Sequence, residues 1–225
     1  MAARVFVWWG GALFVASLVL CASSYALLMG RVMPWGGWTP LLGNALLVTI
    51  FALHHSLFAR ERVKDRLTRR IPPQLLRSAY VWIASLLLIL VSLAWQPIGG
   101  EFYALTGAGA AALVAIQLAG FWMTARGVSR IDPLELAGIH PPSRGEGLQV
   151  SGPYGWVRHP LYLGWALMVF AAPHMTGDRL AFAAMTTFYL MVAIPFEERS
   201  LRRSFGEEYA RYMRDVRWRM LPFIY

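Results

Sequence analysis

Six stretches of uncharged, largely apolar residues occupy most of this chain and limit what it can fold into. An α-helix needs about 20 apolar residues to cross a bilayer, and the first four stretches reach or approach that length. The six are residues 5–29, 41–59, 78–95, 102–125, 161–172 and 180–196. Overall, 57% of residues are hydrophobic and 15% are charged, whereas soluble domains average about 45–50% and about 25%. The pattern predicts an all-α, polytopic transmembrane helical bundle with about six membrane segments.

The distribution of basic residues supports this count and predicts an orientation. The net charge is +9, and with six segments 19 of the 21 lysines and arginines fall on one side of the membrane. Only Arg31 and Arg179 fall on the other side. Because basic residues are retained in the cytoplasm, both termini and the active site are predicted to be cytoplasmic. On so apolar a chain, the positive charge indicates contact with anionic membrane lipids rather than with nucleic acid.

We predict a single integral membrane domain over residues 1–225. Its N-terminal part, residues 1–125, is expected to contain four helices, and residues 126–225 are expected to form a cofactor-binding catalytic core. Residues 5–29 are long for a signal peptide and lack a clear small-residue cleavage site, so they are predicted to form the first transmembrane helix.

Two features of the C-terminal part extend this prediction. The short fifth segment is expected to pair with the sixth as a helical hairpin that turns around residues 173–178. Residues 197–216 are predicted to form an amphipathic helix in the plane of the membrane interface. One face of this helix carries Leu201, Phe205, Tyr209, Tyr212 and Val216 at helical spacing.

Several patterns that carry chemistry in other proteins have a simpler interpretation here. Cys21 is the only cysteine and there are five histidines, so neither a disulfide nor a thiolate zinc site is predicted, and no metal is expected. Residues 107–112 match a loose dinucleotide-binding pattern, but they follow no predicted strand. We interpret them as a small-residue face where helices approach closely.

The most unusual stretch covers residues 152–162, with the sequence Gly-Pro-Tyr-Gly-Trp-Val-Arg-His-Pro-Leu-Tyr. Arg158 and His159 directly precede a predicted membrane helix, and Pro160 suits the first turn of a helix. A helix start offers free N–H groups and a positive dipole end, which favour an anion. A headgroup anchor would need only the arginine, so we favour a binding site for a carboxylate or phosphate.

Two other pairs of ionisable residues lie at the ends of predicted membrane spans. Glu197 and Glu198 leave the last span on a side that is otherwise basic; they either compensate the helix dipole or bind an ammonium or sulfonium group. His54 and His55 end the second span, where they face headgroups or line a polar cavity. The residues by themselves leave both alternatives open in each case.

Residues 152–165 and 197–224 together resemble the isoprenylcysteine carboxyl methyltransferase family of integral membrane methyltransferases. The matching positions include Gly152, Pro153, Tyr154, Arg158, His159, Pro160, Tyr162, Gly164, Trp165, Glu197, Glu198, Leu201, Phe205, Glu208, Tyr209, Tyr212, Val216 and Pro222. The first half is more similar to the bacterial methanethiol S-methyltransferase branch and its NnrU-like relatives, through His55, Ser56, Arg77, Tyr80 and Pro97.

The resemblance implies a cytoplasmic cofactor pocket, with S-adenosylmethionine as the methyl donor. Carried over by position, the cofactor-binding residues would be Tyr154, Arg158, His159, Tyr162, Glu197 and Glu198. Arg158, Glu198 and His55 are the candidate catalytic residues. The reaction would depend mainly on alignment of donor and acceptor, and on holding a carboxylate or thiolate acceptor deprotonated and dry.

The end of the chain departs from the family pattern, because Arg217 follows Val216 where a proline is usual. Residues 218–225 are also similar to the end of membrane sterol reductases, which use NADPH. The function implied by the resemblance is methyl transfer to a lipophilic or small acceptor, such as an isoprenylcysteine carboxylate or a thiol. The alternatives are an NADPH-dependent reductase, a phospholipid amine N-methyltransferase and a membrane protein without enzymatic activity.

Overall fold

The structure, a computed structural model, describes residues 1–58, 61–69, 71–128, 133–139 and 147–225. Most of the described chain is helical. In chain order the elements are α1 (Ala2–Ser23) with a π-helical turn (Ser24–Leu28), α2 (Trp38–Phe58), α3 (Glu61–Thr68), α4 (Pro73–Leu93), β1 (Glu101–Ala104), α5 (Gly107–Val128), α6 (Pro133–Leu136), a 3₁₀ turn (Gly152–Gly155), α7 (Pro160–Phe170), β2 (His174–Thr176) and α8 (Gly177–Asp215). The predicted helical architecture is confirmed, and the two short strands are additional to it.

The membrane segments agree with the sequence pattern. In the described part of the chain, five helical segments are long and apolar enough to cross a membrane: Ala3–Leu28, Trp38–Phe58, Leu75–Leu93, Gly107–Val128 and Gly177–Asp215. The shorter apolar helix α7 corresponds to the fifth predicted segment. The protein is therefore an integral membrane protein with about six membrane segments.

The chain divides into two compact units. The first contains Met1–Gly100 and the described residues of Ile131–Arg144; the second contains Glu101–Arg130 and Gly145–Tyr225. The fourth predicted segment, which we grouped with the N-terminal helices, thus belongs to the second unit as α5. The single-domain organisation remains a prediction.

In the first unit, α4 packs along α1 and α2, and buried polar side chains tie loops to the ends of these apolar helices. Asn44 is fully buried. Its amide donates to the Gln96 carbonyl at 2.8 Å and accepts from the Gln96 N–H at 2.9 Å. Near the other end of α4, the Ser78 hydroxyl donates to the Gly138 carbonyl at 2.8 Å. Satisfied hydrogen bonds of this kind fix one arrangement of the loops, because the same groups unpaired in an apolar interior are costly.

In the second unit, α5 and α7 cross at two glycines. A Cβ added to Gly164 would lie 2.5 Å from Thr124 Oγ1 and 2.7 Å from the Gly120 carbonyl oxygen, and one added to Gly120 would lie 2.6 Å from the Gly164 carbonyl. We placed the close helix approach at residues 107–112, and that position is wrong, since a Cβ on Gly107 would meet nothing within 4 Å. The pattern of small residues indicated a close crossing, but a partner helix contacts a different part of α5.

The hairpin of the fifth and sixth segments turns through a short strand. β2 pairs with β1 in an antiparallel ladder, with Ala104 opposite His174 and Tyr103 opposite Met175. β2 leads directly into α8, where the Thr176 hydroxyl caps the helix by accepting from the Arg179 N–H at 3.2 Å. This pairing fixes where α7 ends and where α8 begins.

The long helix α8 has its break at Gly206, nine residues beyond the predicted boundary at Glu197. The residues between these two positions are mostly good helix formers, so the helix continues through them. At Gly206 the backbone adopts φ 52° and ψ −124°, a conformation that is accessible to glycine because it lacks a Cβ. The part of α8 after this kink packs its Tyr209 and Tyr212 face against Leu148 and Tyr154.

The glycine crossing gives a test of the fold. We expect Gly164→Ala to lower the melting temperature of the detergent-purified protein, because the new methyl group overlaps two oxygen atoms of α5; overpacking of this kind costs about 1–3 kcal/mol. Gly109→Ala is the matched control. A Cβ at Gly109 approaches only the Leu105 side chain, at 3.4 Å, so that variant should melt at or slightly above the wild-type temperature. Equal melting of the two variants would contradict the crossing.

Candidate active site

A cavity of about 240 Å³ lies in the second unit, beside the 3₁₀ turn, the first turn of α7 and the last turns of α8. Its wall is largely aromatic and apolar, with Tyr154, Tyr162, Leu201, Phe205, Tyr209 and Tyr212 among the lining residues. The side chains of Arg158, His159 and Glu197 also line it. The structure thus brings together five of the six predicted cofactor-binding residues, and Glu198 lies just outside this lining.

The start of α7 is fixed by the C-terminal segment of the chain. The 3₁₀ turn at Gly152–Gly155 leads into His159, the N-cap of α7, and Pro160 is the first residue of the helix. The N–H groups of Arg158 and His159 donate to the carbonyls of Trp218 and Arg219 at 2.9 and 2.7 Å. The N–H groups of the two residues that directly precede the helix are therefore paired with the protein itself.

A buried ion pair lies behind the cavity. Arg158 Nε donates to Glu198 Oε1 at 2.7 Å, and both side chains are 5% exposed. Arg158 Nη1 donates to the carbonyls of Val216 and Arg217, each at 2.7 Å. The other oxygen of the Glu198 carboxylate accepts from Arg219 Nε at 3.2 Å. Arg158 Nη2 has no protein acceptor among the described residues, so this nitrogen is the donor that Arg158 can offer to a ligand.

Glu197 and Glu198 are adjacent in sequence but occupy different surroundings. The Glu197 side chain is 45% exposed and lines the cavity, whereas that of Glu198 is 5% exposed. Glu197 Oε2 accepts from the Tyr162 hydroxyl at 2.8 Å. Successive helical residues point about 100° apart, which is why one carboxylate faces the cavity while the other pairs with arginines behind it.

His159 lies between these two carboxylates. Its Nδ1 is 3.5 Å from Glu197 Oε2, and its Nε2 is 3.5 Å from Glu198 Oε1. Burial by itself lowers the pKa of His159, but the negative charges of Glu197 and Glu198 outweigh burial and raise this pKa above its ordinary value. The ring also stacks on Tyr162 at a centroid distance of 5.4 Å. The two carboxylates therefore favour the protonated form of His159 at the cavity wall.

The tyrosines that line the cavity differ in their surroundings. The Tyr212 hydroxyl donates to the Tyr154 carbonyl at 2.7 Å and so connects α8 to the 3₁₀ turn. Burial, together with the negative charge of Glu197, raises the pKa of Tyr154. The Tyr209 hydroxyl is buried without a hydrogen-bond partner among the described residues. An unpaired polar group of this kind has a free-energy cost that a bound ligand can remove.

The remaining candidate, His55, belongs to the first unit. A hydrogen bond of 2.6 Å joins its Nδ1 to the Tyr80 hydroxyl, and the neighbouring His54 ring stacks on the Tyr80 ring. His55 does not appear among the residues that line the cavity described above. Its proposed catalytic role remains a prediction.

Sequence reasoning missed Arg219 and the inward role of Tyr209 and Tyr212. The periodic apolar face of residues 201–216 was visible in the sequence, but we assigned it to the membrane interface. Arg219 gave no local signal, because its partner Glu198 is 21 residues away. Glu198 pairs with Arg158 and Arg219, which are 40 and 21 residues away, and not with Arg202, which lies one helical turn further along α8.

The chain is similar to a set of bacterial methanethiol S-methyltransferases. It is 37% identical to methanethiol S-methyltransferase 1 of Bradyrhizobium diazoefficiens over 182 residues, which cover 77% of this chain and 64% of that protein. It is 35% identical to the methanethiol S-methyltransferase of Mycobacterium tuberculosis over 77% of this chain and 75% of that protein. The chain belongs to this family of membrane methyltransferases. The predicted relationship is thereby confirmed.

A family model and a human protein also match this chain. A family model described as a protein of unknown function (DUF1295) matches residues 62–216, which include every residue that lines the cavity. Nurim of Homo sapiens is 31% identical over 180 residues, or 72% of this chain and 68% of that protein. No solved structure matches the chain significantly. The aligned part covers less than two thirds of the Bradyrhizobium diazoefficiens methyltransferase.

The planar guanidinium group of Arg158 allows a direct test of the buried ion pair. Arg158 uses two nitrogens on three oxygens, and lysine cannot reproduce that planar arrangement. We expect Arg158→Lys to lower the melting temperature nearly as much as Arg158→Ala, since breaking a buried pair costs about 3–5 kcal/mol. Arg211→Lys, at an exposed position of α8, is the control and should melt like the wild type. Wild-type melting of Arg158→Lys would show that charge alone suffices.

The environment of His159 predicts a pH dependence. Its pKa is raised in the folded state, so its contribution to stability is fully present below about pH 6.5 and is lost as the pH rises through the raised pKa. We expect the difference in melting temperature between wild type and His159→Gln to shrink as the pH increases above neutral. A difference that stays constant from acidic to alkaline pH would show that the ring is uncharged in the folded protein.

Proposed function

We propose that this chain transfers a methyl group from S-adenosylmethionine to a small or lipophilic thiol, or to a carboxylate such as that of isoprenylcysteine. The observation that carries the proposal is the similarity to methanethiol S-methyltransferases over most of the chain. The matched region includes the whole lining of the aromatic cavity, which we propose as the cofactor site. A small thiol is the favoured acceptor, because the relatives are named for methanethiol.

The residues around the cavity fit this cofactor. Tyr154 and Tyr162 offer aromatic faces of the kind that pack on an adenine ring. The half-exposed carboxylate of Glu197 suits an ammonium or sulfonium group. His159 and the Nη2 of Arg158 offer positive charge to the cofactor carboxylate. The unpartnered Tyr209 hydroxyl is a further hydrogen-bonding group for the ligand.

The cofactor would supply an activated methyl carbon on a positively charged sulfur, so the protein has little acid catalysis to perform. The contribution of this chain is alignment and the exclusion of water. The pairing among Arg158, Glu198 and Arg219 fixes the backbone from which His159 and Tyr162 extend, and a fixed geometry is the main source of rate in such a displacement. The aromatic walls keep water away from a deprotonated acceptor.

We place this site at the cytoplasmic face of a bacterial inner membrane. The support is the 19-to-2 distribution of basic residues together with the bacterial origin of the similar methyltransferases. In this orientation the cavity is accessible to cytoplasmic S-adenosylmethionine.

A binding experiment on detergent-purified protein tests the cofactor. We expect S-adenosylhomocysteine to bind and NADPH not to bind. Glu197→Gln should weaken S-adenosylhomocysteine binding about tenfold or more, since a hydrogen bond to a charged group contributes about 1.5–3 kcal/mol. Glu198→Gln should weaken it as well, through the displacement of Arg158. Glu207→Gln, on an exposed face of α8, is the control and should bind like the wild type.

The acceptor is tested with methyl-labelled S-adenosylmethionine and three acceptors, namely methanethiol, an isoprenylcysteine analogue and a phospholipid amine. Labelled product from methanethiol is the expected result. Binding of NADPH without S-adenosylhomocysteine would instead establish the reductase alternative. Methylation of the phospholipid amine alone would establish a different acceptor for the same cofactor.

A further inference from the structure

A second cavity, of about 210 Å³, lies on another face of α8. Pro195, Glu198, Arg199 and Arg202 line it, and their spacing of three, four and seven residues places them on one face of the helix. Arg219, from the segment that follows α8, completes the lining. We call these five residues the arginine cavity. It is separate from the aromatic cavity, with which it shares no lining residue.

The arginine cavity has an excess of positive charge. It contains three guanidinium groups and one carboxylate, and the Glu198 carboxylate already accepts from Arg158 and Arg219. Arg202 Nε contacts Met213 Sδ at 3.3 Å, and the Arg199 guanidinium lies 5.5 Å from the centre of the Phe196 ring. Within the described residues, neither Arg199 nor Arg202 pairs with an acidic side chain. Like charges three residues apart on a helix repel, so a bound anion would relieve an unfavourable arrangement.

The chemistry of the arginines selects the anion. The guanidinium group presents parallel N–H donors that match the oxygens of a phosphate, and it is the side chain most suited to this pairing. A phosphate between Arg199 and Arg202 would bring negative charge to the face of α8 where Glu198 is already neutralised. A second carboxylate would supply less charge and fewer acceptor oxygens than a phosphate does.

Exposed apolar side chains occur in the same two segments of the chain as these arginines. Val192 and Phe196 are exposed on α8 within the two turns that precede Arg199, and Phe223 and Ile224 are 85% and 79% exposed in the same C-terminal segment as Arg219. Exposed apolar side chains in a membrane protein are suited to contact with acyl chains. A ligand that joins a phosphate to acyl chains is a phospholipid, whereas free phosphate would use only the arginines.

We infer that the arginine cavity binds the phosphate of a phospholipid headgroup, through Arg199, Arg202 and Arg219, with the acyl chains along the adjacent exposed apolar side chains. The inference does not depend on the proposed methyl transfer. Its test measures lipid binding, so a failure of one leaves the other standing.

The test uses the full chain in detergent and a titration with short-chain phosphatidylglycerol, read from the melting temperature. Inorganic phosphate, and the same diacylglycerol without a phosphate, are the comparison ligands. We expect phosphatidylglycerol to stabilise the wild type, with at least about tenfold weaker binding to the double variant Arg199→Gln and Arg202→Gln, equivalent to about 1.4 kcal/mol. Both arginines are exposed, so this variant should fold normally. Arg219 is left unchanged because it also pairs with Glu198.

The matched control is the double variant Arg203→Gln and Arg211→Gln, which removes the same charge from exposed positions outside the cavity lining. It should bind phosphatidylglycerol like the wild type. Each single variant, Arg199→Gln and Arg202→Gln, should show part of the loss. Equal losses in the two double variants would overturn the site in favour of a diffuse basic surface. Stabilisation by inorganic phosphate as strong as by the lipid would overturn the assignment to a phospholipid.

Discussion

The ion pairs made by the Glu198 carboxylate are the interactions on which the second unit depends. One of its oxygens accepts from Arg158 at the start of α7, and the other accepts from Arg219 in the C-terminal segment. Three segments that are distant in the sequence therefore meet at one buried side chain. A buried charge left without its partner costs several kcal/mol, so any rearrangement of these segments is strongly opposed. The backbone of Arg158 and His159, and with it the wall of the aromatic cavity, is fixed as a result.

The same carboxylate separates two chemical environments along α8. Glu197 faces an aromatic cavity that contains His159 and Tyr162, and the opposite side of Glu198 faces a cavity of arginines. Because adjacent helical residues differ in direction by about 100°, a pair of consecutive acids is enough to produce this division. The adjacent acids therefore differ in role. The Glu197 carboxylate faces the aromatic cavity, whereas the Glu198 carboxylate joins α8 to Arg158 and Arg219.

Much of the fold was readable from the sequence, and the exceptions have a common physical origin. Membrane segments are predictable because a bilayer requires long uncharged helices, and the stretch around Arg158, His159 and Tyr162 combined residue types that are unusual together. The β1–β2 pairing was missed because each strand is only three or four residues long and its partner is far along the chain. The pairing of Arg219 was missed because its partner, Glu198, is 21 residues away in the sequence. The break of α8 at Gly206 depends on one backbone conformation that helical periodicity does not reveal.

The pairing between α7 and the C-terminal segment also determines when the site forms during synthesis. Arg158 bonds to carbonyls that follow it by 58 and 59 residues, so both α7 and α8 lie between the donor and its acceptors. The helices α7 and α8 can enter the membrane as soon as they are made, but Arg158 lacks these acceptors until the chain has been synthesised past Arg217. Membrane insertion and completion of the cavity are thus two successive events, and the order of residues along the chain sets the delay between them.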